Sequence, residues 1–427
     1  MNKFPITLYL YNKEVQTVEE FDLIEEYESY FEQVVILSPH ELEYLYPDHP
    51  SKTAQWNEIV RSTHTPWALF LDGGEQLDLS ELDALSYTDQ ESWASTLISL
   101  TGFEQTEFYH QLRLVPTFLG EEIFSGHQIP DASRFVQRNN IKLLPNCLHI
   151  SRKSYLWQDV DLELERAQSP MPTTIHLYEA RNLIKNNKYV QAAAEYRQVL
   201  KKADVLPFDY LAALNGIARC YAEQHKWSRA LEYTEESIAR EKQQYMPYLI
   251  QFKIYQMNKN WGAALETLEH YWDNTKSYSR SSHETILPIS ETLLQMSNLS
   301  LKAGKNELAY TYLTQYIRAM GEELDSQYQH AALTLAIELS MKKEALLHLN
   351  TLYPNPVLFE FTEEEEARFH DYLELFLNQS WFEPVQKIYT ALYNARPESE
   401  HYKRRLIVTL IKSDRLDQAK SLLYRVA

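Results

Sequence analysis

The stretch Trp67-Ala68-Leu69-Phe70-Leu71-Asp72-Gly73-Gly74-Glu75-Gln76-Leu77 runs from an unbroken apolar segment into an acidic turn. An apolar run cut off by Asp-Gly-Gly reads as a buried strand that ends where glycine lets the chain bend. One carboxylate stands at each end of the turn, and glycine fills the middle.

Outward from this strand, the first 150 residues or so alternate short apolar runs with amphipathic stretches. Ile6 to Tyr11 reads as a strand. Val18 to Phe31 reads as a helix, with Phe21, Ile24, Tyr27 and Phe31 at three- and four-residue spacing. Val34 to Leu37 is a second strand, Thr53 to Arg61 a helix, and Ala68 to Leu71 a third strand. Strand, helix, strand, helix, strand predicts a parallel α/β sheet. Runs at Thr96–Leu100, Glu107–Val115 and Ile141–Leu144 add strands expected to be antiparallel or at an edge.

From about residue 172 the period becomes helical throughout, and a register repeats. Ala192, Ala230, Ala264, Ala309, Ala345, Pro384 and Ala419 align at spacings of 38, 34, 45, 36, 39 and 35 residues. Twelve residues earlier stand Ala180, Ala218, Phe252, Ser297, Leu333, Tyr372 and Ile407. Four residues later stand Tyr196, Thr234, Leu268, Leu313, Leu349, Ile388 and Leu423. The pattern resembles the tetratricopeptide repeat, a helix–turn–helix unit in which a small residue lets two helices approach. About seven degenerate copies span 172–427, and the resemblance implies an all-α superhelix. Residues 156–171 read as a linker ending in Ser169-Pro170-Met171-Pro172. Thr362-Glu363-Glu364-Glu365 reads as a capping box that restarts helix after Pro354-Asn355-Pro356.

Composition narrows the function. A formal net charge of −19 argues against a nucleic-acid binder and against docking on an anionic membrane. With only nine glycines the chain suits a helical array better than a loop-rich catalytic domain. Two cysteines, Cys147 and Cys220, fall in different predicted domains, so no disulfide framework is expected. No window reaches the length of a membrane span and no signal-peptide core follows Met1, so the chain is read as cytoplasmic. Cys220, Trp227, Trp261 and Trp381 fall on packing positions and are read as core. His40, His49 and His64 lack the paired spacing of a zinc site.

The N-terminal part, residues 1–155, resembles the GT-A (Rossmann-like) domain of family 2 glycosyltransferases, a branch of which precedes tetratricopeptide repeats. Members typically read W-x-L-F-L-D-A-D-E-x-L where this chain has Trp67 to Leu77. The resemblance implies a nucleotide sugar held near Asn12, Glu14 and Arg113, with Arg134 a second candidate for a phosphate. It implies Mn²⁺ or Mg²⁺ on Asp72 and Glu75, and a base at His127-Gln128; no other cofactor is called for. The chain departs from the family at each place. Tyr11-Asn12-Lys13-Glu14 scrambles K-N-E, and Ser38-Pro39-His40-Glu41 replaces an acidic glycine–serine turn. Asp72-Gly73-Gly74 keeps one carboxylate of D-x-D. Gln128 stands where glutamate would act as base, and an amide cannot take the proton.

These departures imply a degraded centre beside repeats that bind a protein partner or peptide. The alternative is an active, metal-dependent transferase acting on a polypeptide or glycan acceptor, with His127 near the base position. A third reading is a scaffold without any transferase ancestry in its chemistry.

Overall fold

The computed structural model describes residues 3–11, 17–49, 51–80, 94–101, 107–118, 122–125, 130–139, 142–152, 173–203, 205–275 and 284–424. The chain divides into two compact units, Met1–Pro288 and Ile289–Ala427. The expected linker at 156–171 lies outside the described residues.

In the first unit, β1 (Phe4–Tyr11), β2 (Phe31–Leu37), β3 (Trp67–Leu71) and β7 (Leu114–Pro116) form one sheet in the order β2-β1-β3-β7. β1 pairs in parallel with both β2 and β3, through helices α1 (Val18–Tyr30) and α3 (Lys52–Ser62), while β7 runs antiparallel to β3. Strand alternation sends Ile6, Leu8 and Leu10 into one apolar cluster with Ile24, Tyr27 and Leu148. Tyr9, Tyr11 and Phe70 face another with Trp56, Phe124 and Phe135, which Leu206 and Phe208 complete. Phe21, expected on the buried stripe of α1, is exposed, and Phe31 opens β2. The stripe therefore narrows to Ile24 and Tyr27. Ser38-Pro39-His40-Glu41 is the capped start of a short helix, α2 (Pro39–Leu45), closed by a Ser38–Glu41 capping box.

A second sheet has the order β4-β8-β5-β6-β9, from β4 (Glu75–Leu77), β8 (Lys142–Arg152), β5 (Ala94–Thr101), β6 (Glu107–Leu112) and β9 (Glu284–Thr285). Within the run expected to be antiparallel or at an edge, Lys142–Leu144 begins β8, an interior strand antiparallel to β4 and parallel to β5. The acidic turn carries the chain from β3 in the first sheet to β4 in the second. Glu75 N–H donates to the Asp72 carbonyl at 3.0 Å, and Gly74 takes the left-handed backbone at φ 78°. A short helix, α4 (Ser133–Arg138), precedes β8.

The rest is a tetratricopeptide-like array of helix pairs. The first unit holds α5 (Thr173–Lys185) with α6 (Tyr189–Lys201), α7 (Pro207–Glu223) with α8 (Trp227–Arg240), and α9 (Met246–Met257) with α10 (Trp261–Asn274). The second unit holds α11 (Ile289–Lys302) with α12 (Asn306–Met320) and α13 (Ser326–Glu338) with α14 (Lys342–Leu352). It continues with α15 (Glu363–Asn378), α16 (Phe382–Ala395), α17 (Glu400–Lys412) and α18 (Leu416–Tyr424). The helices of each pair pack on each other, and α5, α7 and α9 pack in succession.

Within each pair the turn is built alike. Asn187, His225, Lys259, Gly304, Ser340, Ser380 and Asp414 all have φ between 56° and 74°. The following N–H donates back to the carbonyl five residues before it, as in Lys188 to Leu183 at 2.8 Å and Trp381 to Phe376 at 2.9 Å. This is the Schellman closure of a helix end. Five residues after each left-handed residue comes a fully buried side chain: Ala192, Ala230, Ala264, Ala309, Ala345, Val385 and Ala419. The sixth place is therefore Val385, one residue beyond Pro384. Its partners are Leu373 and Tyr389, both at 0% exposure, rather than Tyr372 and Ile388. Proline lacks the N–H of a helix interior, so it is tolerated in the first turn of α16. Leu416 and Leu423 are exposed, so the last pair keeps the register with a smaller core. Trp381 and Cys220 are buried, whereas Trp227 and Trp261, also expected in the core, are only partly buried. In the first unit the approach is close enough to demand glycine: a Cβ on Gly216 would lie 2.2 Å from the Tyr196 ring.

The shared turn generates a prediction. Gly304→Ala adds left-handed strain with no compensating contact and lowers stability by about 1–2 kcal/mol. Lys259→Gly, at the same place in another pair, relieves strain and raises it by at most about 1 kcal/mol, net of the added chain entropy. Urea denaturation of the two variants checks both signs.

Candidate functional site

The acidic turn is neutralised from within the protein. Lys52, the first residue of α3, directs its ammonium onto the Asp72 carboxylate. Arg113, in the single residue between β6 and β7, pairs with Glu75 at 3.0 Å, with side chains 4% and 0% exposed respectively. The second Glu75 oxygen accepts the Asp72 N–H at 2.6 Å, so Glu75 also closes the turn it follows. Trp56, one helical turn after Lys52, underlies both cations: Lys52 Nζ and Arg113 Cζ are each 5.2 Å from its ring. Trp56 stacks on Phe70 with centroids 4.3 Å apart and planes at 14°.

Burial pushes the Lys52 ammonium below the ordinary lysine range, with Asp72 pulling it back and Arg113 adding repulsion. Burial likewise raises the Tyr11 phenol, and the negative charge of Asp72 raises it further. Tyr11 donates to Gln55 of α3 and flanks Lys52 at 5.4 Å. From α1, the Tyr27 hydroxyl accepts the Leu77 N–H at 2.9 Å and fixes the start of the second sheet.

Of the residues singled out in the sequence, Asp72, Glu75 and Arg113 come together. Asn12, Glu14, His127 and Gln128 lie outside the described residues. Ser125 and Asp131 exchange backbone hydrogen bonds at 2.8 and 2.9 Å. Buried Asn57 of α3 accepts from the Ile123 and Phe124 N–H groups. Arg134 is exposed and lines an open groove of about 950 Å³ with Arg61 and Arg138, which Arg113 does not line. Sequence motifs do not mark Lys52; its signal is that it stands in phase with Trp56 on the apolar side of α3.

The arrangement does not fit a divalent metal. Each carboxylate of the turn already has a cation, and the Glu75 side chain has no exposure. Among the described residues no group of three or more His, Cys, Asp and Glu side chains could hold a metal ion.

In the second unit the helix pairs bury a series of imidazole–phenol contacts. His348 bonds Tyr310 and Gln329, each at 2.9 Å. His330 stacks on Tyr372 and meets its hydroxyl at 3.0 Å. His370 stacks on Tyr389, meets its hydroxyl at 3.0 Å, and faces His401 at 3.1 Å between Nε2 atoms. Burial first, then His401 and Arg405, press the His370 pKa down to about 4, against a weaker pull from Glu366.

No protein-family model matches the chain, and neither does any curated protein. Solved structures of MamA are distantly similar. A crystal structure of MamA protein is 15% identical, with 95% of its chain and 49% of this one covered, at a TM-score of 0.31. MamA from residue 41 to its end, of Desulfovibrio magneticus RS-1, is 9% identical, with 93% and 43% covered, at 0.31. At that TM-score the likeness carries no weight for fold or function. The repeat assignment rests on the turn geometry and packing above. Among the described residues no helix is long and apolar enough to cross a membrane.

Two predictions follow from these groups. Glu75→Ala strands the Arg113 guanidinium in the interior and costs about 3–5 kcal/mol in metal-free buffer, read by urea denaturation. The second concerns pH. His370 binds its proton near pH 4 when folded and near 6.5 when unfolded, so the unfolded state holds more protons across that window. Stability therefore falls as pH drops from about 6.5 towards 4. His370→Asn, which keeps an acceptor for Tyr389, flattens that slope in melting curves taken across the window.

Proposed function

We propose that this chain is a scaffold protein, in which a family 2 glycosyltransferase-like domain with a degraded centre precedes helical repeats that bind a protein. The carrying observation is the occupation of the acidic turn by Lys52 and Arg113. In a metal-dependent transferase these carboxylates would have to carry a divalent ion. Here they hold two sheets and a helix together. A buried carboxylate with an internal cation gains nothing from a metal unless that cation leaves, which exposes a new unpaired charge. The nucleotide-sugar role of Arg113 meets a related objection, since its guanidinium is 4% exposed and paired with Glu75.

The repeats supply the binding half of the proposal. Stacked helix pairs present extended surfaces, and such arrays serve protein recognition. The working assignment is docking of a partner in glycan or glycoprotein assembly, an expectation that comes from the resemblance of the N-terminal half. The alternative, an active transferase using Asp72 and Glu75, requires Lys52 to swing away and the turn to reopen.

Thermal melting with Mn²⁺ and UDP- or GDP-sugars separates the two. No stabilisation is expected. A ligand at a hundredfold excess over its dissociation constant would add about 2.7 kcal/mol and be plainly visible. A shift in melting temperature that Asp72→Ala abolishes would overturn the degraded-centre reading and support the enzyme.

A further inference from the structure

A separate cluster of charge lies on the first two helix pairs, and the acidic turn plays no part in it. Tyr221, in the last turn of α7, is buried, and three cations surround its ring. Arg197 of α6 lies 5.8 Å from the centroid, Lys226 of the following turn 5.8 Å, and Arg229 of α8 5.7 Å. Arg197 is fixed by donating to the Tyr221 hydroxyl at 2.6 Å. Tyr233, one turn after Arg229, stacks on Tyr221 at 5.7 Å with planes at 30°. Lys226 and Arg229 are exposed, and Trp227 between them is partly so.

Among the described residues, none of these three cations pairs with a carboxylate; Lys226 donates to the Gln224 amide instead. That is unexpected in a chain with sixty Asp and Glu against forty-one Lys and Arg. Three like charges gathered on one ring repel each other. The π-face of Tyr221 and its hydroxyl offset only part of that repulsion. Within the same pair Arg240 is treated differently, since it pairs with Glu236 while lying over Tyr210.

We infer that the Arg197–Lys226–Arg229 cluster around Tyr221 is a docking surface for an acidic polypeptide segment. Guanidinium groups match carboxylates in geometry, and the flanking Tyr233 and Trp227 offer apolar area beside them. The net charge of −19 favours a short segment over a nucleic acid or an anionic membrane. Those would bring their charge against the rest of the surface, whereas a segment meets the cluster alone. The inference deepens the scaffold reading by naming the chemistry of one partner, and does not depend on whether the N-terminal domain transfers sugar.

The test uses the full chain and a fluorescein-labelled, Glu-rich peptide of about ten residues, followed by anisotropy. Binding is expected, weakening several-fold as salt rises from about 0.05 to 0.3 M. The exposed pair Lys226→Glu and Arg229→Glu together should weaken it by roughly tenfold or more, with the helical circular dichroism unchanged. Absence of binding at millimolar peptide would overturn the inference, as would equal affinity in the double variant. Tighter binding of phosphatidylserine vesicles or of an oligonucleotide, lost in the same variant, would also overturn it. A protein partner crosslinked elsewhere on the helix pairs, with no peptide binding here, would remove this surface and leave the scaffold reading standing.

Discussion

A carboxylate can be buried only if a cation or a set of donors goes in with it, and at Glu75 this constraint organises the N-terminal fold. The Glu75 side chain is shut away from solvent, so Arg113 must follow it into the interior. Arg113 is the single residue between β6 of one sheet and β7 of the other, and its carbonyl accepts the Phe70 N–H at 3.0 Å. Glu75 in turn begins β4, while Asp72 ends the run from β3 and draws in Lys52 from α3. One pair of ion pairs thus ties a helix and both sheets at the turn where the chain passes between them. Chemistry that needed these carboxylates free would work against the interaction holding the domain together.

The helix pairs obey a different constraint. Each turn closes through one residue in the left-handed conformation, and five residues later the second helix must present a side chain that fits the close approach. Alanine fills six of the seven places and Val385 the other. Left-handed backbone is costly for residues with a Cβ, yet only Gly304 among the seven is glycine. The strain is carried by the packing of the pairs, in which Ala192, Ala230, Ala264, Ala309 and Ala345 have no exposure at all.

How much of this the sequence disclosed depends on the range of each signal. The helical register was legible because it is local and recurs, and the capping box at Thr362–Glu365 is a four-residue pattern that the structure contains. The left-handed turns were not legible, since Asn187, His225, Lys259, Ser340, Ser380 and Asp414 share a backbone conformation and no residue type. Without that marker the small-residue register places the sixth pair on Pro384, one residue before Val385. Asp72 and Glu75 stood out through the apolar run before them. Lys52 did not, because only the parallel pairing of β1 with β3, and the packing of α3, bring it across twenty residues to Asp72. Phe21 misled because helical spacing shows which residues share a face and not how far the neighbouring sheet extends.

The central claim is that the acidic turn is filled by the protein's own cations and is closed to a metal. A crystal structure of the full chain grown with Mn²⁺ and UDP tests it most directly. The account predicts Lys52 on Asp72 and Arg113 on Glu75, with no ion at the turn. A manganese ion coordinated by the Asp72 and Glu75 carboxylates, with Lys52 displaced, would contradict it.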